Sequence, residues 1–165
     1  MKTLLLMRHA RSAGMAPHRP DLERPLTERG RKDVPIMARR ISGRALRPDL
    51  IASSPALRAL TTAKLVAQEL SLNGQAICVD AALYESTLEG YLEFLTTLPE
   101  AAQIVLVVGH NPTISACVNL LASSSVPELP AGGVAGVIAE IASWSDLRRR
   151  CGRLLFVDDP ERSGE

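Results

Sequence analysis

Aromatic side chains are scarce in this chain: Trp, Tyr and Phe together make up 3% of its 165 residues. A platform of stacking rings for single-stranded nucleic acid is therefore excluded. Any core must be built from Leu, Val, Ile and Ala, which is feasible because hydrophobic residues reach 46%. An excess of one charge is lacking too, since 19 Lys and Arg stand against 18 Asp and Glu, a net charge of +1. No overall field draws the chain to DNA or to an anionic membrane, so a cationic function must be local. The three cysteines, Cys78, Cys117 and Cys151, are odd in number and far apart. No C-x-x-C or zinc-type spacing exists, so no metal is called for, and reduced thiols in a cytoplasm fit best. A long apolar opening is also missing. Thr3 to Met7 precede Arg8, which is too short for a signal-peptide core or a membrane span. With no repeat, low-complexity tract or interdomain linker, a single domain over 1–165 is expected, long enough to bury a real core.

What is present is an alternation of apolar runs and helical patterns. Residues 3–8 read as a central strand, apolar on both faces. A loop with Gly14, Pro17, Pro20 and Pro25 follows. Thr27 is placed to cap a helix running to Ile41, with Pro35 expected to kink or restart it. Leu50 to Ser53 read as a second strand. Ser54 and Pro55 then open a helix to Leu70. Gln75 to Val79 read as a strand near the edge, 81–87 as a loop, and Leu88 to Leu98 as a helix stopped by Pro99. Gln103 to Val108 form another buried strand. Pro112 starts a helix to Ala122, with Asn111 as its expected cap. Val134 to Ala142 and Arg153 to Val157 read as two closing strands, and the tail from Asp158 as frayed. Trp144 is expected to pack near those strands, and Arg148, Arg149 and Arg150 to form a solvated turn. The alternation predicts a three-layer α/β/α sandwich around a mostly parallel sheet.

Such sheets bind ligands beyond the carboxyl ends of their strands. His9 follows one predicted central strand and His110 another. If the two strands are parallel neighbours, the imidazoles share one rim, roughly 5 Å apart by strand spacing. Arg58 lies about one turn into a helix that begins at a third strand's carboxyl end, and its side chain leans back toward that rim. Arg8, His9, Arg58 and His110 would then surround one point. A phosphate dianion is the natural guest, because guanidinium forks bind its oxygens and helix N-termini add fractional positive charge. Arg11 and His18 are expected to face water.

The residues resemble the histidine phosphatase superfamily, the phosphoglycerate-mutase-like fold. An Arg-His-x-x-Ser motif is matched by Arg8, His9 and Ser12. A Ser-Pro-x-x-Arg-Ala-x-x-Thr-Ala motif is matched by Ser54, Pro55, Arg58, Ala59, Thr62 and Ala63, and a Gly-His-Asn-Pro turn by Gly109 to Pro112. The short length, RPLTERG at Arg24 to Gly30 and LYE at Leu83 to Glu85 look most like the SixA-type phosphohistidine phosphatases. Position 10 departs from the pattern, with Ala where Gly is usual.

The resemblance implies that His9 takes the phosphoryl group on a ring nitrogen, with the other nitrogen held as a donor to fix the tautomer. Arg8 and Arg58 would clamp the oxygens, which is where phosphoryl transfer needs help. His110 would donate to the oxygen whose charge grows, and Ser12 would add a hydroxyl contact. The surrounding arginines should keep His9 neutral. Glu85 is the best-placed match for a carboxylic proton donor, although a phosphorylated imidazole leaves readily once protonated and does without a strong acid. No cofactor is implied. The substrate implied first is a phosphohistidine on a protein, such as a histidine-containing phosphotransfer domain, because no long insertion is available to build a lid. A small phosphomonoester is the alternative within enzymes. A non-catalytic phosphate-binding module is the alternative outside them. Neither nucleic acid nor membrane is an expected partner.

Overall fold

Strands and helices alternate along the computed structural model, which describes residues 1–162. In chain order they are β1 (Lys2–Arg8), α1 (Glu28–Gly43), β2 (Leu50–Ser53), α2 (Leu57–Glu69), β3 (Ile77–Val79), α3 (Leu88–Thr96), β4 (Ile104–Gly109), α4 (Thr113–Ala122), β5 (Val134–Ala139) and β6 (Gly152–Asp158). The six strands form one sheet in the order β3-β2-β4-β1-β5-β6. β1 to β4 run parallel to one another, and β5 and β6 extend the sheet antiparallel, β5 against β1 and β6 against β5. β3 is an edge strand, as expected.

β1 shows why the sheet is covered on both sides. Leu4 and Leu6 point into one apolar cluster with Tyr91 and Leu95 of α3 and with Ile114 and Val118 of α4. Leu5 and Met7 point into the other, with Val34, Met37 and Ile41 of α1 and Ala63 and Val66 of α2. The period of two along a strand divides one apolar run between two layers of helix. Trp144 is fully buried beside the closing strands and donates its indole N–H to the Ala102 carbonyl. Among the described residues, no helix is long and apolar enough to cross a membrane.

Several boundaries differ from expectation. α1 continues through Pro35 without a restart. Val34, Met37, Ala38 and Ile41 keep one buried face in phase across it, and that packing outweighs the missing N–H. α2 begins at Leu57 rather than Pro55, with Ala56 at its N-cap and no side-chain cap; Ser54 Oγ accepts from the Ala56 N–H, one step ahead of the helix. β3 loses Gln75 and Ala76 to a 3-10 turn whose Asn73 side chain accepts from the Gln75 N–H. Residues Ala81–Leu83 form another such turn within the expected loop. α3 stops at Thr96, two residues before Leu98, since residues ahead of Pro99 are biased away from helix.

The tail is the larger correction. Asp158 ends β6 and is buried, with Arg40 and Arg44 on its two carboxylate oxygens at 3.0 and 3.2 Å. Asp159 is buried as well and accepts from Arg162. The segment from 158 to 162 is therefore clamped onto α1 rather than frayed, and 163–165 lie outside the described residues. Charge alone reads as solvated in sequence; here Asp158 meets arginines 114 and 118 positions away.

Candidate active site

The parallel register pairs Arg8 of β1 with Gly109 of β4. His9 and His110 therefore emerge side by side at one rim, with ring centroids 5.2 Å apart. The His9 N–H donates to the Gly109 carbonyl at 3.1 Å, which ties the two strand ends together. His9 is buried, and its Nδ1 lies 2.8 Å from the Ala10 carbonyl. A carbonyl only accepts, so Nδ1 carries the proton and Nε2 keeps a free lone pair. The ring's pKa is lowered to about 4, first by burial and only then by Arg58, Arg8 and Arg24, against the Ala10 bond that raises it. The arginines expected to hold His9 neutral are thus secondary to desolvation. Ala10 fits without strain on its neighbours: it is fully buried in the α1–α2 layer and donates its N–H to Thr62 Oγ1.

Arg58 is 6% exposed and reaches the rim from the first turn of α2. Its Nη2 donates to Asp21 Oδ2 at 2.9 Å and approaches His110 Nδ1 at 3.4 Å, while its Nη1 donates to the Asp21 carbonyl at 2.7 Å. A guanidinium only donates, so His110 Nδ1 is the acceptor and Nε2 carries the proton toward Ser54 Oγ, 2.8 Å away. The same hydroxyl also accepts from the Ala56 N–H at 3.2 Å, so Ser54 serves both the ring and the entry to α2. Burial first, then His9 and Arg58, lower the His110 pKa to about 3, against the opposing charge of Asp21. Arg8 Nη1 donates to the Leu129 carbonyl at 3.1 Å, and Asn111 Nδ2 donates to the same oxygen. Asn111 is therefore a tether for the 126–130 loop rather than a helix cap, a place taken by Pro112. The Nε atoms of Arg8 and Arg58 are buried with no hydrogen-bond partner among the described residues.

Three residues that the sequence left without a role complete the site. Asp21, in a short 3-10 turn, accepts from Arg24, Arg58 and Tyr84 at once. Those bonds, the one from Arg24 above all, hold its carboxyl well below the usual carboxylate range. Arg24 also donates to the Ala13 carbonyl and to Ser12 Oγ. Tyr84 stands edge-on to the His110 ring at 5.5 Å, and its bond to Asp21 pushes the phenol up to about 12. A signal existed: Arg24 and Tyr84 sit in the RPLTERG and LYE segments, and several buried guanidiniums require a compensating acid. Nothing local marked Asp21 as that acid.

All five principal candidates, Arg8, His9, Arg58, Glu85 and His110, line one cavity of about 800 Å³, and Ser12 does too. They are not equally engaged. Glu85 stands exposed at the mouth with a left-handed backbone (φ 50°). The Ser12 hydroxyl accepts from Arg24. Arg11 is exposed as expected, yet it borders the cavity and pairs with Glu161. His18 is exposed and outside the lining. Among the described residues no group of His, Cys, Asp and Glu is placed to hold a metal ion. The arrangement sets a neutral imidazole with an unprotonated ring nitrogen among several guanidiniums.

Known proteins of the same build bear on this geometry. Residues 4–96 match the family model of the histidine phosphatase superfamily, branch 1. The uncharacterized protein Rv1276c of Mycobacterium tuberculosis is 32% identical over 93% of this chain and 99% of that protein. The protein histidine phosphatase SixA, solved with tungstate, superposes with a TM-score of 0.81 at 25% identity, covering 96% of this chain and 97% of the other. A Nakamurella multipartitia protein, itself provisionally assigned as the phosphohistidine phosphatase SixA, superposes at 0.84 with 27% identity, over 98% and 97% of the two chains. The chain therefore belongs to the histidine phosphatase superfamily, branch 1, and is a phosphatase.

Proposed function

We propose that this phosphatase works through a phosphohistidine formed on His9 and that its substrate is a phosphohistidine on another protein. The observation that carries the covalent step is the pair of orphaned guanidinium nitrogens. Arg8 Nε and Arg58 Nε are buried without partners among the described residues, and both side chains line the same cavity as His9. A buried donor left unpaired costs about 1–3 kcal/mol, and a phosphoryl oxygen would satisfy each. In the first step His9 Nε2 attacks phosphorus, the P–N bond to the substrate imidazole breaks, and the leaving ring departs with the proton it carries. Water then attacks the phosphohistidine, the P–Nε2 bond breaks with its electrons returning to His9, and inorganic phosphate leaves. For His110 to donate, Nδ1 must gain a proton, and the arriving dianion offsets the burial and positive charge that keep that ring neutral.

The choice of substrate rests on the acids. Asp21, bonded to Arg58 in the cradle, is held ionised by Arg24, Tyr84 and Arg58, so it has no proton for an alkoxide. Glu85 is exposed at the mouth. A site without a buried acid suits a leaving group that brings its own proton, as a phosphoimidazole does. The SixA structures named above agree with that reading. A small phosphomonoester is the second reading, favoured by a cavity of about 800 Å³, within the range of small-molecule sites.

Rates on a protein phosphohistidine, an aryl phosphate and sugar phosphates separate the two, with the first expected to be fastest. Preference for sugar phosphates would overturn the substrate assignment. Replacing His9 with Ala should abolish turnover and acid-labile labelling from phosphate donors. Surviving turnover would reject His9 as nucleophile, and phosphate binding without any turnover would identify a recognition module.

A further inference from the structure

Beneath the rim, Tyr91 of α3 is 1% exposed, and its hydroxyl has no hydrogen-bond partner among the described residues. A buried phenol without a partner is a liability that Phe would remove. The hydroxyl does not sit in an apolar void. It presses against Gly109, where a β-carbon would overlap the oxygen and come within 3.3 Å of the ring carbon that bears it. Ile114 bounds the same side of Gly109, at 3.6 Å from that position. The backbone N–H of His110 faces the oxygen, short of a well-formed bond. Gly109 is the last residue of β4, so whatever limits its approach to α3 sets how far His110 projects over the cavity.

We propose that Tyr91 is a positioning residue for His110: its hydroxyl wedges under the Gly109–His110 turn and fixes the height of the imidazole that faces the transferred phosphoryl group. The need for glycine at 109 and the retention of an unpaired buried oxygen then have one cause. The proposal rests on His110 acting in catalysis, as set out above. Tyr91 touches no substrate and acts only through the turn.

The test is a cycle of Tyr91→Phe and His110→Ala, read as kcat and KM on an aryl phosphate together with thermal melting. Because a displacement near 1 Å costs on the order of 100-fold in rate, loss of one supporting atom should lower kcat about tenfold. KM should change little, since the interaction belongs to the transition state, and the melting temperature should hold or rise. In the His110→Ala background, Tyr91→Phe should add nothing. Gly109→Ala should be slow, and adding Tyr91→Phe should restore part of its rate by removing the overlapping oxygen.

An unchanged kcat in Tyr91→Phe would overturn the proposal, as would an equal loss in both backgrounds or a failure to rescue Gly109→Ala. If His110→Ala is crippled while Tyr91→Phe is not, only the wedge fails. Wild-type rates in His110→Ala would remove the catalytic reading itself, and the wedge with it.

Discussion

Burial keeps His9 and His110 neutral, and that has a measurable cost in acid. Their pKa values lie near 4 and 3 in the fold, while an unfolded histidine takes up its proton around pH 6.5. Between those limits the unfolded chain binds more protons than the folded one, so stability falls as pH drops from about 6.5 toward 4. Asp21 contributes in a lower window, because its depressed carboxyl protonates only below the ordinary carboxylate range. Urea unfolding at pH 7.5 and pH 5 should therefore show wild type losing stability, and His9→Gln losing less. Equal losses would mean that His9 is not desolvated. The side chains differ in how far local reading could place them. His9, Arg58 and His110 were legible because each stands at a fixed offset from a strand end. Asp21 was not, because its three partners lie 3, 37 and 63 positions away.

The elements that carry these groups show where local propensity yields to contact. Gly30 sits in the first turn of α1, where replacement by Ala would ordinarily stabilise a helix by up to about 1 kcal/mol. Here a β-carbon would overlap the Arg11 carbonyl. That same carbonyl accepts from the N–H of Thr27, the residue whose side chain caps α1 through the Gly30 N–H. Gly30→Ala should therefore reverse the usual sign, losing stability and slowing turnover as the loop after His9 shifts. Guanidinium unfolding and aryl phosphate rates check both halves, and a stabilised, fully active variant would refute the contact. The helix itself was legible from Thr27 and its apolar spacing. Its close approach to the loop was not, because that depends on how α1 lies on the sheet.

Across the whole molecule, the clamp of Arg40 and Arg44 on Asp158 joins the last strand to the first helix. Asp158→Asn removes the charge from a buried acceptor of two guanidiniums. Hydrogen bonds to charged groups are worth about 1.5–3 kcal/mol, so a loss on the order of 2 kcal/mol is expected in denaturant unfolding, with aryl phosphate turnover retained. A loss below about 0.5 kcal/mol, the scale of an ordinary surface change, would mark the pair as a surface contact. We propose that 1–165 is one domain, in which case buried Trp144 fluorescence and far-UV circular dichroism should report one coincident transition.

Periodicity, breakers and three short motifs were enough, within the chain alone, to specify alternating strands and helices, the parallel core of the sheet, and the meeting of His9, Arg58 and His110 at its carboxyl rim. Those features follow from interactions between near neighbours and from the chirality and spacing of regular elements. Tertiary structure alone decided which ring nitrogens carry protons, that Asp21 and Arg24 brace the cradle, that Tyr91 lies under Gly109, and that the tail is pinned. Each of these depends on groups brought together across long stretches of chain, where direction and distance are set by packing and leave no period to read.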